Sequence, residues 1–303
     1  MITILGPTAT GKTRLAALVA DAIGGEIISA DSRQVYRQMD IGTGKDYKDY
    51  TVNGKIIPTH LVDIVEPGTE YNVFEFKKAA LQAIHDIERR GKVPLICGGS
   101  GMYIESLVGD YKLIVVPENL TLRDKLKNKT HNELVEILLA YGHTHNVTDL
   151  EIPERLIKAI EIKEYYQRMN IIEHEKPVEN CLIFGIDFPR LEVRNRITER
   201  LKARLNSGMI DEVKQLIDKG VPREMLILYG LEYRWITRYL GEEITYQTMY
   251  EKLNTSIHQF AKRQIIWFRR MEKKGYHIHW IDGHLPDNEK VKKILDIIKK
   301  ATL

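Results

Sequence analysis

The 303-residue sequence has little cysteine and no long apolar run, repeat or low-complexity segment. Its two cysteines, Cys97 and Cys181, each lie in an apolar stretch, which excludes a zinc cluster or a disulfide framework and fits a reducing compartment. No segment approaches the ~18 apolar residues of a membrane span. Residues 1–6 lack the basic region of a signal peptide. We therefore expect a cytoplasmic protein with no membrane partner.

The composition is that of an ordinary globular protein, with 43% hydrophobic and 29% charged residues. The length suits one large α/β domain, or a core with a small second domain. The net charge of +3 is unevenly distributed, because residues 1–110 carry 12 basic and 14 acidic side chains and residues 111–303 carry 33 and 28. The surplus in the later part permits a polyanionic partner.

Apolar and amphipathic segments alternate along the chain. Short apolar runs predict strands at 2–5, 26–30, 60–65, 93–97, 181–186 and 277–281. Helical periodicity predicts helices at 12–24, 73–90, 190–219 and 247–272. This alternation indicates a parallel sheet with helices on both faces. We predict a core formed by residues 1–113 and 179–303, interrupted by a polar helical insertion at 114–178.

A glycine-rich motif stands between the first strand and the first helix. Residues 6–13 read Gly-Pro-Thr-Ala-Thr-Gly-Lys-Thr and match G-x-x-x-x-G-K-[ST], in the strand–turn–helix context that confirms this pattern. Backbone N–H groups and the positive end of the helix favour phosphate there, Lys12 adds a charge, and the Thr13 hydroxyl suits Mg²⁺. We therefore expect a P-loop NTPase-like fold whose di- or triphosphate is bound by Gly6, Pro7, Thr8, Ala9, Thr10, Gly11, Lys12 and Thr13.

The motif alone does not name a reaction. A motor ATPase would usually place a second carboxylate for Mg²⁺ at a strand end. The strand at 93–97 instead runs into Gly98-Gly99-Ser100-Gly101, which has no acidic side chain. The motor reading is therefore weakened.

Asp31 follows the second strand directly, at the edge where ligands collect in open α/β sheets. Ser32 and Gln34 follow on the same loop. A carboxylate in this place can cap a helix, hold Mg²⁺ through water or act as a general base. Position alone leaves all three roles open.

The residues around these two motifs extend the pattern. Residues 27–45 read Ile-Ile-Ser-Ala-Asp-Ser-Arg-Gln-Val-Tyr-Arg-Gln-Met-Asp-Ile-Gly-Thr-Gly-Lys. With residues 6–13 they resemble the tRNA dimethylallyltransferase (isopentenyltransferase) family, whose pattern is close to GPTASGKT…ISADSxQVYRxMDIGTxK. The likeness continues in family order at 60–67, 98–103, 154–161, 196–200, 230–234 and 261–269.

The resemblance implies prenyl transfer. In this family N6 of an adenine attacks C1 of dimethylallyl diphosphate, and diphosphate leaves. The adenosine is the one 3′ of the anticodon, at position 37 of tRNA, and it must leave its stack to react. The resemblance makes Asp31 the base, while Lys12, the loop amides and Mg²⁺ on Thr13 stabilise the leaving diphosphate. Arg234 matches the basic residue of the family's Gly-Tyr-Arg/Lys motif and completes the implied catalytic set.

The resemblance also implies an anticodon stem-loop as partner of a chain that we expect to be monomeric. The implied tRNA-binding residues are Asp31, Ser32, Arg33, Gln34, Ser100, Arg123, Glu154, Arg155, Lys158, Gly230, Tyr233 and Arg234. Basic stretches are usually solvated faces or salt-bridge partners, but with tRNA implied two of them can add phosphate contacts: Arg196, Arg200 and Arg204 on one helix face, and Lys262, Arg263, Arg269, Arg270, Lys273 and Lys274. The aromatic side chains Trp235, Tyr239, Trp267 and Phe268 have the helical spacing typical of a core.

The chain departs from the family pattern mildly at Ser100 and Met102, within 98–103, and more strongly at two further positions. Glu232 stands where the family has glycine, which adds a negative charge near a polyanion site. Lys158 replaces an arginine and loses its bidentate fork.

Three other functions remain as rivals: an adenylate isopentenyltransferase acting on free AMP, ADP or ATP, a P-loop small-molecule kinase, and a non-catalytic RNA-binding module. The insertion and the basic C-terminal helix favour tRNA over a free nucleotide. An intact Lys12, Thr13 and Asp31 argue against a module that has lost its activity.

Overall fold

The computed structural model of the protein describes residues 1–109, 116–142, 153–171 and 181–302. The chain divides into two compact units, one formed by Met1–Asp110 with Glu175–Leu303 and the other by Tyr111–His174. The first unit contains the main sheet. Both boundaries predicted for the insertion, at 114 and 178, lie outside the described residues.

Six strands of the described chain form one parallel sheet, as the alternation of strands and helices predicts. The order is β5-β2-β6-β1-β7-β8, and β3 with β4 makes a separate antiparallel hairpin. The strands are β1 (Ile2–Leu5), β2 (Gly25–Ala30), β3 (Thr51–Val52), β4 (Lys55–Ile56), β5 (Thr59–His60), β6 (Val93–Gly98), β7 (Leu182–Asp187) and β8 (Ile278–Asp282).

Helices cover both faces of this sheet and make up the described part of the second unit. They are α1 (Lys12–Ile23), α2 (Val73–Arg89), α3 (Gly101–Val108), α4 (Leu120–Leu126), α5 (His131–Ala140), α6 (Pro153–Arg168), α7 (Arg190–Asn206), α8 (Met209–Asp218), α9 (Arg223–Tyr229), α10 (Leu231–Leu240), α11 (Tyr246–Lys273) and α12 (Asp287–Thr302). The helical segment predicted at 190–219 is two helices, because Gly208 has a φ of 95° between them. Within the described ranges, no helix combines the length and apolar character needed to span a bilayer.

The strand predicted at 60–65 is wrong for most of its length. The observed strand β5 ends at His60. Leu61 and Asp63 have φ angles of 62° and 55°, which lie far from the extended region that a strand requires. Pairing resumes only as an isolated bridge between Tyr36 and Val65. A continuous apolar run therefore did not distinguish a strand from a folded loop.

The main core has two layers, one on each face of the sheet. Ile4 and Phe184 point into the cluster that includes α1, α7 and α12, whereas Ile96 and Ile183 point into the cluster that includes α2 and α3. Burial on both faces explains why these strands are apolar throughout. Helix α11 contributes to both clusters, and its Phe268 is fully buried, as its helical spacing predicted. Trp235, Tyr239 and Trp267 also pack against these clusters, partly buried.

Candidate active site

The candidate active site lies at the carboxyl ends of three neighbouring strands. Gly98 at the end of β6 is in register with Leu5 of β1 on one side and Ala30 of β2 on the other. With strands about 4.8 Å apart, the ends of β1 and β2 are about 10 Å from each other. A Cβ at Gly98 would collide with the Ala30 carbonyl, so glycine permits this close pairing. The loops after the three strands therefore open into one crevice.

The loop after β1 has the shape of a phosphate cradle. Ala9 and Gly11 have φ angles of 66° and 77°, which curl the backbone, and Thr10 Oγ1 donates to the Pro7 carbonyl at 2.8 Å. Gly11 is the N-cap of α1 and supplies no side-chain cap. The first N–H groups of that helix are therefore available to an anion.

The Lys12 amine lies inside this cradle, 3.5 Å from the Pro7 carbonyl. Burial lowers the pKa of Lys12, and the charges of Arg200 and Arg204 lower it further. Cys97 and Asp31 act in the opposite direction and raise the same pKa. A partly buried amine near two guanidinium charges makes the cradle an environment that favours a bound anion.

Helix α7 directs part of its basic face into the crevice. The Arg200 guanidinium donates to the Thr8 hydroxyl in the phosphate loop. Burial lowers the pKa of Arg200 to about 10, and the neighbouring charge of Arg204 adds to this effect. Arg204 pairs with Asp46 at 3.4 Å, whereas Arg196, one turn before Arg200, pairs with Glu192 at 2.8 Å. The i, i+4, i+8 spacing in the sequence identified the face, and only the packing of α7 shows that Arg200 reaches the phosphate loop.

Asp31 stands in the loop after β2, on the opposite side of the crevice. Its Oδ1 accepts the N–H of Arg33 at 2.9 Å, so it stabilises its own turn. The backbone N–H of Ser32, between Asp31 and Arg33 in the chain, donates to Ser100 Oγ at 3.1 Å. Because the charge of Asp31 raises the pKa of Lys12, the carboxylate and the amine share one electrostatic environment. The structure thus brings together Asp31, Ser32, Ser100 and the phosphate loop.

Other predicted site residues of this unit have packing contacts. Gln34 is buried, and its Nε2 donates to the Gly44 carbonyl at 3.1 Å. Tyr233 is 1% exposed and donates its hydroxyl to Glu212 at 2.6 Å. Arg33 lies beside Gly230, at the start of α10, and the Arg234 Nε donates to the Ile227 carbonyl at 3.3 Å. The roles predicted for these residues in tRNA binding or catalysis stay predictions.

Glu232, the departure from the family's glycine, lies in the first turn of α10. Burial raises the pKa of its carboxyl, whereas the charges of Arg204 and Arg200 lower it. The carboxyl therefore shares the surroundings of the cations that face the phosphate loop.

Two of the residues predicted to bind tRNA in the second unit converge on one buried carboxylate. Glu161 is 1% exposed and accepts hydrogen bonds from the Asn119 N–H at 2.6 Å, Arg123 Nε at 3.1 Å and Lys158 Nζ at 2.9 Å. Burial raises the pKa of Glu161, but these donors outweigh burial and bring it to about 2. Glu154 is exposed and Arg155 is half-buried. The tRNA contacts of all four stay predictions.

Sequence reasoning missed one buried side chain of the site. Gln264 of α11 accepts the Thr8 N–H at 2.9 Å and donates to the Gly99 carbonyl at 2.8 Å. It lies within the segment 261–269 that resembles the family, but the pattern did not indicate where its amide points.

A glycine-rich loop that opens a helix and faces a carboxylate across one crevice is typical of α/β proteins that bind phosphates. The family described as IPP transferase matches residues 34–271, and that described as Isopentenyl transferase matches residues 1–55. The chain belongs to the tRNA dimethylallyltransferase (IPP transferase) family, whose members are prenyltransferase enzymes.

Similar proteins cover almost the whole chain. This chain is 51% identical over 298 residues to tRNA dimethylallyltransferase 2 of Phocaeicola vulgatus, and the aligned region covers 98% of this chain and 97% of that protein. The solved tRNA isopentenylpyrophosphate transferase of Bacillus halodurans has a TM-score of 0.73 at 28% identity, covering 99% of this chain and 95% of that one. The corresponding structure from Staphylococcus epidermidis has a TM-score of 0.70 at 31% identity, covering 99% and 98%.

Proposed function

We propose that the protein transfers the dimethylallyl group of dimethylallyl diphosphate to N6 of the adenosine 3′ of the anticodon, position 37, in tRNA. The observation that carries this proposal is the arrangement of the phosphate loop and Asp31 on either side of one crevice. A prenyl diphosphate and an adenine have to meet between a group that holds the diphosphate and a group that takes a proton. Membership of the family supports the same reaction.

The phosphate loop holds the leaving group. As the bond between C1 and the diphosphate oxygen breaks, its electron pair goes to the diphosphate, which gains negative charge. Lys12 and the N–H groups at the start of α1 belong to this loop and Arg200 contacts it, so we expect all three to face that position. Their charges are already in place before the reaction, so they stabilise the charge that develops.

Asp31 is the proposed base for the adenine amine that attacks C1. The lone pair of N6 is delocalised into the adenine ring, which makes the amine a weak nucleophile. As the N6–C1 bond forms, the carboxylate of Asp31 takes the proton from N6. The hydrogen bonds that fix its loop, from Arg33 N–H to Asp31 and from Ser32 N–H to Ser100, hold the carboxylate in orientation.

Mg²⁺ fits the donor groups of this site. The Thr13 hydroxyl lies in the first turn of α1, directly after Lys12. A hydroxyl oxygen is one of the hard ligands that Mg²⁺ prefers, and the diphosphate oxygens of the donor are of the same kind. When bound, the ion supplies positive charge to the diphosphate oxygens. We expect activity to be lost in excess EDTA and restored by added Mg²⁺.

A tRNA substrate is supported by the charge of the chain. The surplus of basic residues lies in 111–303, and Lys262, Arg269 and Lys273 are exposed on α11. Phosphate contacts from such residues would position an anticodon stem-loop, whose target adenine has to leave its stack.

Both cysteines are free thiols, which agrees with a cytoplasmic enzyme. We propose that it acts as a monomer, which sedimentation tests.

One experiment separates the candidate functions. The protein is incubated with Mg²⁺, dimethylallyl diphosphate and either tRNA or AMP, and the ribonuclease fragments of the tRNA, or the AMP, are examined by mass spectrometry. The proposal expects a dimethylallyl group on the adenosine at position 37 and none on AMP. Modified AMP with unmodified tRNA would establish the free-nucleotide enzyme instead. Phosphate transfer from ATP to a small molecule would indicate a kinase, and binding of tRNA without a product would indicate an RNA-binding module.

A further inference from the structure

The Gln264 side chain bridges two loops of the active site. It is 6% exposed on α11, accepts the Thr8 N–H at 2.9 Å through Oε1, and donates from Nε2 to the Gly99 carbonyl at 2.8 Å. The first bond needs an acceptor and the second needs a donor. A primary amide supplies both at one side-chain end, which carboxylate, ammonium and thioether groups do not.

Each end of this bridge leads to a reacting group. Thr8 belongs to the phosphate loop, and its hydroxyl accepts the guanidinium of Arg200. Gly99 precedes Ser100, whose Oγ accepts the N–H of Ser32, the neighbour of Asp31 in sequence. A continuous set of contacts therefore runs from the diphosphate site through Gln264 to the loop of the base.

The bridge is held rigidly by its surroundings. A Cβ at Gly99 would collide with the Gln264 amide, so glycine lets the loop come close enough to bond. One turn further along α11, Trp267 packs against Gly101 and donates to Glu105 at 2.7 Å. Arg270 also donates to Glu105, at 2.9 Å. Helix α11 is thereby fixed to α3, and Gln264 has a defined position above both loops.

We infer that Gln264 is a positioning residue that sets the separation between the diphosphate site and Asp31, an inference that rests on the proposed function. Its amide hydrogen-bonds to Thr8 and Gly99 and acts through Thr8 and Ser100. Misplacement of reacting groups by about 1 Å can cost about 10²-fold in rate. The effect is thus expected in the chemical step and not in the binding of tRNA.

Two substitutions and a control test this role. Gln264→Met keeps the length of the side chain and removes both hydrogen bonds, whereas Gln264→Glu keeps the acceptor for Thr8 and removes the donor for Gly99. Gln247→Met makes the same change at an exposed position of α11, about 25 Å along the helix. With both substrates saturating, we expect the single-turnover rate of Gln264→Met to fall about 10- to 100-fold. The rate of Gln247→Met and the tRNA affinity of all variants should stay within twofold of wild type.

A double-mutant cycle distinguishes positioning from loss of packing. If Gln264 acts on the base through Ser100, then adding Ser100→Ala to Gln264→Met costs little beyond the larger single effect. Gly99→Ala provides a second route, because its methyl group displaces the amide while Gln264 stays in the chain. It should reproduce the loss of rate, and it decides the question if Gln264→Met does not fold by circular dichroism.

Two results would overturn the inference: a folded Gln264→Met or Gly99→Ala protein that reacts within threefold of wild type, or independent effects of Gln264→Met and Ser100→Ala that multiply. Failure of the proposed function looks different, because the wild-type protein would then transfer no dimethylallyl group to tRNA.

Discussion

The two units use the same kinds of basic side chain in opposite ways. In the crevice of the first unit, Lys12 and Arg200 donate to neutral oxygens, the Pro7 carbonyl and the Thr8 hydroxyl. In the second unit, Arg123 and Lys158 both bind the buried carboxylate of Glu161. Cations whose hydrogen bonds end on neutral groups keep a charge for an anionic ligand. Cations that are paired with a buried carboxylate have their charge neutralised by it, and the pair stabilises the fold of its own unit.

The pKa shifts of Arg200 in the first unit and Glu161 in the second show the same difference between the two units. Burial lowers the pKa of Arg200 to about 10, because the charged form loses hydration next to Arg204. For Glu161 burial acts to raise the pKa, but Arg123, the Asn119 N–H and Lys158 bring it to about 2. The free protein therefore bears an electrostatic cost at the phosphate loop that a bound diphosphate would relieve.

The largest expected effect tests the acidic side of the crevice. Asp31→Asn keeps the acceptor for the Arg33 N–H and removes the carboxylate that we propose as the base. We expect the single-turnover rate with saturating substrates to fall by about 10²–10⁴, with tRNA affinity changed less than threefold. A rate within threefold of wild type would end the assignment of Asp31 as base.

The next effect tests the cations of the crevice. Arg200→Ala removes a guanidinium that contacts the phosphate loop, whereas Arg196→Ala removes one from the preceding turn of α7 that pairs with Glu192. A charged hydrogen bond contributes about 1.5–3 kcal/mol, so the affinity for dimethylallyl diphosphate should fall roughly 10- to 100-fold in the first variant only. Calorimetric titration of both variants makes the comparison. Equal losses would show that α7 acts through its general charge.

A smaller effect tests the second unit. Glu161→Gln removes the charge to which Arg123 and Lys158 are bound and leaves a similar shape. The two cations are partly exposed, so we expect a loss of about 1–3 kcal/mol in the free energy of unfolding of this unit. Chemical denaturation measures it, with exposed Glu136→Gln as the matched control. Donor affinity should not change. If the two variants unfold alike, then Glu161 does not stabilise the unit.

The smallest effect concerns pH and compares one buried carboxylate from each unit. Hydrogen bonds from Arg90 lower the pKa of Glu26 from 4.5 to about 2, and Glu161 has the same low value for the reasons given above. A carboxyl with a depressed folded pKa adds stability above its unfolded pKa and loses it as the pH falls toward the folded value. The free energy of unfolding should thus decline between about pH 4.5 and 2. Glu26→Gln and Glu161→Gln should each reduce this slope by at most one proton, and an unchanged slope in both would contradict the pairing.

Local patterns were sufficient for the elements that depend on local rules. The phosphate loop needs glycine and threonine at set intervals between a strand and a helix, so the sequence pattern of residues 6–13 is sufficient to predict it. The position of Asp31 follows from the end of an apolar strand. The strand at 60–65 was wrong because the positive φ angles of Leu61 and Asp63 leave no periodic signal.

The sequence by itself therefore determined the parallel α/β class, the phosphate cradle, the carboxylate opposite it and the family. Tertiary structure alone decided which partner each polar side chain contacts. Arg200 hydrogen-bonds to Thr8, and Arg123 hydrogen-bonds to Glu161. Gln264 bonds to two loops that are each more than 160 residues away from it in the chain. The spacing of residues along a helix determines which of them share a face. The partner of that face depends on how distant segments pack, because hydrogen bonds and charges act through space between atoms that the chain order does not bring together.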